Sequence, residues 1–271
     1  MAVPIYGLWS DNLFAAATVS IVGGAESGPT VQATLTDGNP AYGQFFAEPS
    51  VQIVGDLGTA QKVALPCVFN DNFTPGLAVS HDSASSSGFS APASTAFTVG
   101  ALEADGYRPD LYLDLDVSGT APVNRYHRLN VSGTNAKNLG IGQVFWGSTR
   151  RSFPVGFEMK GSPAYSVTQT PNVVEHLTYG DVSLRVNKGF RRTIIAGSLI
   201  STSSDCDAVL NFFLALGGMA QPLVLVPDPT QPFVMLCLID LPSMTKTLVQ
   251  GNIFRVAVTF RQLSRGLGFT W

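Results

Sequence analysis

The chain has 271 residues, of which 45% are hydrophobic and only 13% charged, with 27 glycines and 17 prolines. That balance excludes a disordered chain, which needs low hydrophobicity and high net charge, and the length suffices for two domains with separate cores. A formal net charge of -3 without a basic run leaves no electrostatic footprint for nucleic acid, and no apolar stretch approaches the roughly 20 residues of a membrane-spanning helix.

Taken in order, the first half reads as short strands broken by turn residues. The start lacks the basic and apolar regions of a secretory leader. Residues 17–22 form a strand, and Gly23, Gly24, Ser27, Gly28 and Pro29 mark a loop after it. Asp37, Gly38, Asn39 and Pro40 predict a turn, because Gly and Asn tolerate positive φ and Pro ends pairing. Residues 50–54 alternate like a half-buried strand. Residues 62–69 are a second apolar strand, which Pro66 confines to an edge or bulge. Asn70, Asp71 and Asn72 turn the chain. Residues 83–94 are small and polar and read as an exposed loop. In 110–116, Leu111, Leu113 and Leu115 share one strand face and Asp110, Asp114 and Asp116 the other. Residues 126–131 and 141–146 complete a set whose spacing suggests a sandwich or jelly roll. The polar stretch 147–152 marks the boundary between domains at 1–150 and 151–271.

The second half contains the only helix that the pattern predicts, near 204–216. Ser203 or Ser204 caps it, and Asp205 and Asp207 lie at the positive end of its dipole. Cys206, Val209, Leu210, Phe213 and Leu216 form one buried face, and Gly217 and Gly218 stop it. Strands are expected at 155–159, 165–168, 173–177, 182–186 and 190–200 before the helix. Residues 223–226, closed by Pro227 and Pro229, and 233–239 follow it. The last strand is 254–260, with Phe254, Val256, Val258 and Phe260 on one face. Residues 160–179, with two prolines, form a long hairpin arm or a mobile loop. The tail 261–271 is basic and rich in glycine. A single helix among strands must pack on a sheet to bury its face.

The residues capable of chemistry do not assemble into a catalytic set. Cys67, Cys206 and Cys237 are odd in number, sit among apolar neighbours and lack zinc spacing, so they read as reduced core residues. Asp110, Asp114 and Asp116 could be glycosidase acids or Ca²⁺ ligands, but a solvated sheet face fits their alternation better. His81, His127 and His176 are scattered without a metalloprotease pattern. His81, Asp82 and Ser83 are neighbours in sequence, whereas a triad is assembled in space, and no nucleophile elbow is present. Trp9, Trp146, Trp271, Tyr42, Phe45 and Phe46 form either a sugar-stacking platform or packed core, and the core reading is preferred. Arg191 and Arg192 fall on opposite strand faces. No catalytic, cofactor-binding or metal-binding residue is assigned, and the chain is read as not an enzyme.

Two ordered sets of segments resemble tail proteins of long-tailed bacteriophages. Trp9 to Leu13, the turn from Leu35 to Pro40, Val51 to Gly58, the Asn70–Asn72 turn, Asn124 to Leu129 and Leu139 to Gly147 resemble a galactose-binding-like jelly roll. His127 stands where that family has an aromatic, and Gln143 where it has a basic residue. Gly189 to Arg192, the helix with Gly217 and Gly218, Leu223 to Asp228 and Phe254 to Leu263 resemble distal tail and tail-tip hub domains. Those are tail-tube-like β-barrels with one helix. The resemblance implies a mainly β virion protein at the tail tip, made in the host bacterial cytoplasm. It implies a cyclic homo-oligomer contacting the tail-tube protein and baseplate hub, tape-measure or fibre proteins. Such a ring would let DNA through without reading its sequence; one of Arg191 and Arg192 could then face the channel, although a salt bridge or solvent exposure is the more common place for such residues. The alternative is a carbohydrate-binding module for bacterial surface glycans, and a glycoside hydrolase stands third.

Overall fold

The computed structural model describes residues 7–23, 28–37, 43–48, 50–101, 110–135, 138–151, 165–177, 183–216, 222–226, 234–239 and 245–263. The fold is mainly β. The first half runs through β1 (Gly7–Trp9), α1 (Leu13–Ala16), β2 (Thr18–Val22), α2 (Gly28–Thr36), β3 (Gln44–Phe46), β4 (Val51–Lys62), β5 (Leu65–Asp71), β6 (Ala78–Ala84), β7 (Ala93–Ala96), β8 (Leu111–Tyr112), β9 (Val123–Ser132) and β10 (Leu139–Gly147). The second half has β11 (Tyr165–Leu177), β12 (Ser183–Thr202), α3 (Ser203–Ala215), β13 (Leu223–Val226), β14 (Met235–Ile239), β15 (Thr245–Gln250) and β16 (Ile253–Gln262). Two compact units result. One spans Trp9–Arg150, and the other takes Leu8 together with the chain from Arg151 onward.

The Trp9–Arg150 unit is a β-sandwich. Five strands in the order β2-β4-β9-β6-β7 form one sheet and four in the order β3-β10-β5-β8 the other. Val19, Val51, Ile53, Val79, Leu129 and Val131 from the first sheet share a core with Phe46, Val68, Ile141, Val144 and Trp146 from the second. The period-2 pattern is the cause: each strand turns alternate apolar side chains inward, and burying them stabilises by about 25 cal/mol per Å². Asn12 starts α1 by accepting from the Phe14 amide at 3.2 Å. Its side chain also receives the Trp146 amide at 2.9 Å and donates to the Val144 carbonyl at 3.1 Å, which ties the helix to β10.

Three sequence expectations change in this unit. Residues expected as a loop at Gly28 and Pro29 begin α2, since proline is tolerated in a first helical turn. The helix escapes the pattern because Val31 and Leu35 alone anchor it, while threonines fill much of the rest. Residues 110–116 are a strand only at Leu111–Tyr112. Beyond that, the amides of Leu113 and Leu115 still donate to the carbonyls of Pro66 and Ala64. Pro66 has no N–H to return, and Asp114 turns the chain by accepting the Val117 amide at 3.1 Å. Ser83 and Ala84 end β6 and residues 93–96 form β7, paired from Ser80↔Ala96 to Ser83↔Ala93. Residues 85–92 of the serine-rich segment remain loop, as expected, and only its two ends are strand.

The second unit is one antiparallel sheet in the order β1-β13-β14-β16-β12-β11, with β15 also on β16. β11 and β12 form a long hairpin from Tyr165↔Gly197 to Leu177↔Ser183, irregular between Pro171 and Val173. The segment expected as arm or loop is thus hairpin strand where it is described. α3 packs on β12 and β16. Cys206, Val209 and Phe213 meet Val256, Val258 and Phe260 in its core. The cap is Thr202 rather than Ser203 or Ser204, with Thr202 Oγ1 accepting the Asp205 amide at 3.3 Å. No pairing among the described residues closes this sheet, so the barrel expected from the sequence is here an open sheet carrying one helix. The expected strand at 155–159, the turn at Gly38–Pro40, the glycines 217–218, the Pro227–Pro229 stop and most of the tail lie outside the described residues.

Candidate functional site

Polar side chains of the sandwich concentrate on β6 and β9. The register pairs Asp82 with Arg128 and Ser83 with His127. Arg128 Nε donates to Asp82 Oδ2 at 2.7 Å and its Nη1 to Gln52 at 3.1 Å. Ser80 and Ser94 donate to the other Asp82 oxygen at 2.8 and 2.6 Å. The ring of Phe89 lies 4.3 Å from the Arg128 guanidinium, and Phe89 holds φ at 46° in the left-handed region that L-residues other than Asn or Asp seldom adopt. Burial alone raises the Asp82 pKa. The hydrogen bonds from Ser94, Arg128 and Ser80 outweigh it and hold the carboxyl below its ordinary range.

On the inward side, His81 and His127 stack with ring centres 5.3 Å apart. Each ring centre is 5.9 Å from that of Trp146 on the facing sheet. Sequence reading left these histidines scattered. Sheet register brings them together across 46 positions. The same register corrects the view of His81, Asp82 and Ser83 as loop neighbours: all three are buried in β6. Successive strand residues point to opposite faces, so His81 and Asp82 diverge, and the geometry is not that of a triad.

The remaining candidates also resolve. Asp110 is buried and accepts the Asn70 amide at 3.0 Å, Asp114 turns the chain, and Asp116 pairs with Lys62. The three acids therefore do not share a solvated strand face, because only 111–112 keep strand geometry. Trp9, Trp146 and Phe46 are fully buried, which removes them from any stacking platform; Tyr42 and Trp271 lie outside the described residues. Cys67, Cys206 and Cys237 are free and buried, and burial pushes the thiols of Cys67 and Cys237 well up, away from reactivity. Arg191 and Arg192 pair with Pro171 and Thr170 along the hairpin.

In the second unit, the described polar contacts gather at the start of α3. Lys246 of β15 donates to Ser203 Oγ at 2.9 Å and to Asp207 at 2.5 Å, while lying 4.7 Å from the Phe254 ring centre. It fastens the β15–β16 hairpin to the start of α3. Beyond it Leu248, Val249 and Ile253 are exposed, as is Ile200 on β12 beside Arg255. Sequence reading missed β15 because Thr245, Thr247, Leu248 and Val249 give no alternation, and five of its six residues are exposed.

No family model and no curated protein matches the chain. Among solved structures it is similar to CpGH89CBM32-6 produced by Clostridium perfringens, at a TM-score of 0.36 and 16% identity, over 51% of this chain and 100% of that one. It is also similar to a Ruminococcus gnavus GH29 fucosidase mutant in complex with fucose, at a TM-score of 0.31 and 16% identity, over 51% of this chain and 27% of that one. At these scores the likeness bears on neither ligand nor activity.

Proposed function

We propose that the chain is a structural virion protein of a long-tailed phage, a ring or adaptor at the distal end of the tail tube. It is made in the host bacterial cytoplasm, joins the tail tip, and links the tube to baseplate or receptor-binding parts. The observation that carries this reading is that β12, β13 and β16 lie in one sheet, with α3 packed on β12 and β16. Those segments are the ones whose sequence resembles tail-hub domains. Exposed apolar residues around β15 and open sheet edges suit a subunit that is completed by its neighbours, since a rotationally closed contact removes such edges. The chemistry of the sandwich is consistent with this: its candidate residues Asp82, Asp110, Asp114, Asp116, His81 and His127 are engaged in internal contacts.

Native mass spectrometry of the purified chain, alone and with tail-tube and baseplate proteins, tests the proposal. A closed homo-oligomer or a stoichiometric tail complex is expected. A strict monomer that joins no tail protein overturns it, and a monomer that instead binds a glycan array replaces it with the carbohydrate-binding reading.

A further inference from the structure

Two imidazoles buried against a tryptophan need a stated protonation state, and the geometry supplies one. His127 Nε2 lies 3.0 Å from the Asn124 carbonyl oxygen. A carbonyl only accepts, so Nε2 carries the hydrogen and Nδ1 is bare. That bare nitrogen lies 3.3 Å from His81 Nε2, which must therefore donate. Both rings are neutral Nε2–H tautomers in a directional chain from His81 to His127 to Asn124. A proton added to His127 Nδ1 would set N–H against N–H.

Among the described residues the charged neighbours of the rings are Asp82 on β6 and Arg128 on β9, bound to each other at 2.7 Å, so Asp82 offsets only part of the cost of an imidazolium at His81. From the facing sheet Trp146 packs against both rings, with Phe14 of α1 behind it at 4.9 Å. On β4, Gly55 pairs with His127 and leaves the notch that Trp146 fills. The remaining polar contacts are uncharged: the Gln61 carbonyl beside His127, and Asn124 donating to Ser83 at 2.9 Å.

We infer that the His81–His127 pair is an acid-sensitive clasp of the sandwich, closed while both rings are neutral and opened by protonation. Burial first, then the neighbouring His127, lowers the pKa of His81 to about 3, with Asp82 offsetting part of the effect. Burial likewise lowers that of His127, against carbonyl contacts from Asn124 and Gln61 that raise it. A folded pKa below the unfolded value means stability that is complete above about pH 6.5 and is lost as pH falls through the folded values. His81 costs up to about tenfold in the folding equilibrium per pH unit below about 6.5, and His127 adds to that loss in the same direction. The sandwich therefore loosens before its ordinary carboxylates begin to protonate. This holds whatever the chain's role in a virion.

Nitrogen-15 spectra of the full chain, with the two rings assigned by replacement, test the inference directly. Both rings are expected as Nε2–H tautomers at pH 7, with His81 not titrating inside the native spectrum down to pH 5 and His127 titrating only below the ordinary imidazole range. Urea unfolding between pH 6.5 and 4.5 should take up at least about one more proton in the wild type than in the His81→Phe, His127→Phe double variant. An Nδ1–H tautomer at either ring, or a ring titrating near pH 6.5 while the native spectrum persists, overturns the clasp. So does equal proton uptake in a folded double variant. If that variant does not fold, the wild-type spectra decide alone.

Discussion

Gly55 has no room for a methyl group. A Cβ built there would lie 2.6 Å from Trp146 Cζ3 and 3.2 Å from the Ala17 Cβ, and Trp146 is itself held between Phe14 and the two histidines. Gly55→Ala should therefore destabilise the sandwich by about 1–3 kcal/mol, the usual effect of overpacking, seen as a lower urea midpoint with unchanged slope. A few ångströms away, on the outward face, the Arg128–Asp82 pair sets a different pH window. Its side chains are 16% and 3% exposed, so Asp82→Asn strands a guanidinium in a poorly hydrated place, at a cost of about 3 kcal/mol at pH 7. Because the Asp82 carboxyl is held below its ordinary range, its contribution is present above about pH 4 and fades as pH falls through the folded value. The gap in midpoint between wild type and Asp82→Asn should be constant from pH 7 to 5 and narrow below about pH 4, after the histidines have already acted. A gap that narrows between pH 7 and 6 would assign it to the histidines instead.

At the scale of elements, α3 shows what the sequence encodes locally and what it leaves to register. Its apolar face was legible because Cys206, Val209 and Phe213 recur at helical spacing, and the same face meets Val256, Val258 and Phe260. Phe213 is fully buried and sits edge-on to Phe260 at 5.7 Å, so Phe213→Ala should cost about 3–5 kcal/mol. Thr202→Ala removes only the cap and should cost about 1 kcal/mol. Paired thermal melts of the two variants separate packing from capping, and no loss at all in Thr202→Ala would show that the helix end is fixed by Lys246 rather than by Thr202. The strands of the sandwich were legible for the same reason as the helix face: alternation is a local property. The His81–His127 contact was not, because it depends on how β6 aligns with β9, and a one-residue slip would turn every side chain of β6 to the opposite face. Nor was α2, whose Val31 and Leu35 give two anchors where a confident helix pattern needs three or four. The Asp110–Asp116 strand failed because alternation says nothing about whether the neighbouring strand can return hydrogen bonds, and Pro66 cannot.

For the whole molecule, the polar stretch near 150 marked a division that composition alone could suggest. It did not reveal that Leu8 belongs to the second unit, where it bridges to Arg151; an edge strand of three residues carries no periodic signal. The same limit applies to assembly, which the folded unit advertises only by what it leaves uncovered. Leu248, Val249 and Ile253 are 62%, 54% and 42% exposed around one hairpin, and among the described residues β15 has no partner on its outer side. A sheet edge flanked by apolar residues invites pairing with another chain unless something covers it. In the proposed ring the cover is the adjacent copy, because a heterologous contact repeated by rotation satisfies every edge but leaves none over. Val249→Lys with Ile253→Lys tests this without disturbing the core, since exposed positions change fold stability by only about 0.5 kcal/mol. The double variant should keep the wild-type circular dichroism and melting temperature while its native mass falls from oligomer to monomer, the introduced charges repelling one another across each contact. An oligomer that survives both lysines would move the subunit contact away from β15 and point to the other edges that the sheet has among the described residues, first the long β11–β12 hairpin and then β1, as the place where neighbouring copies join.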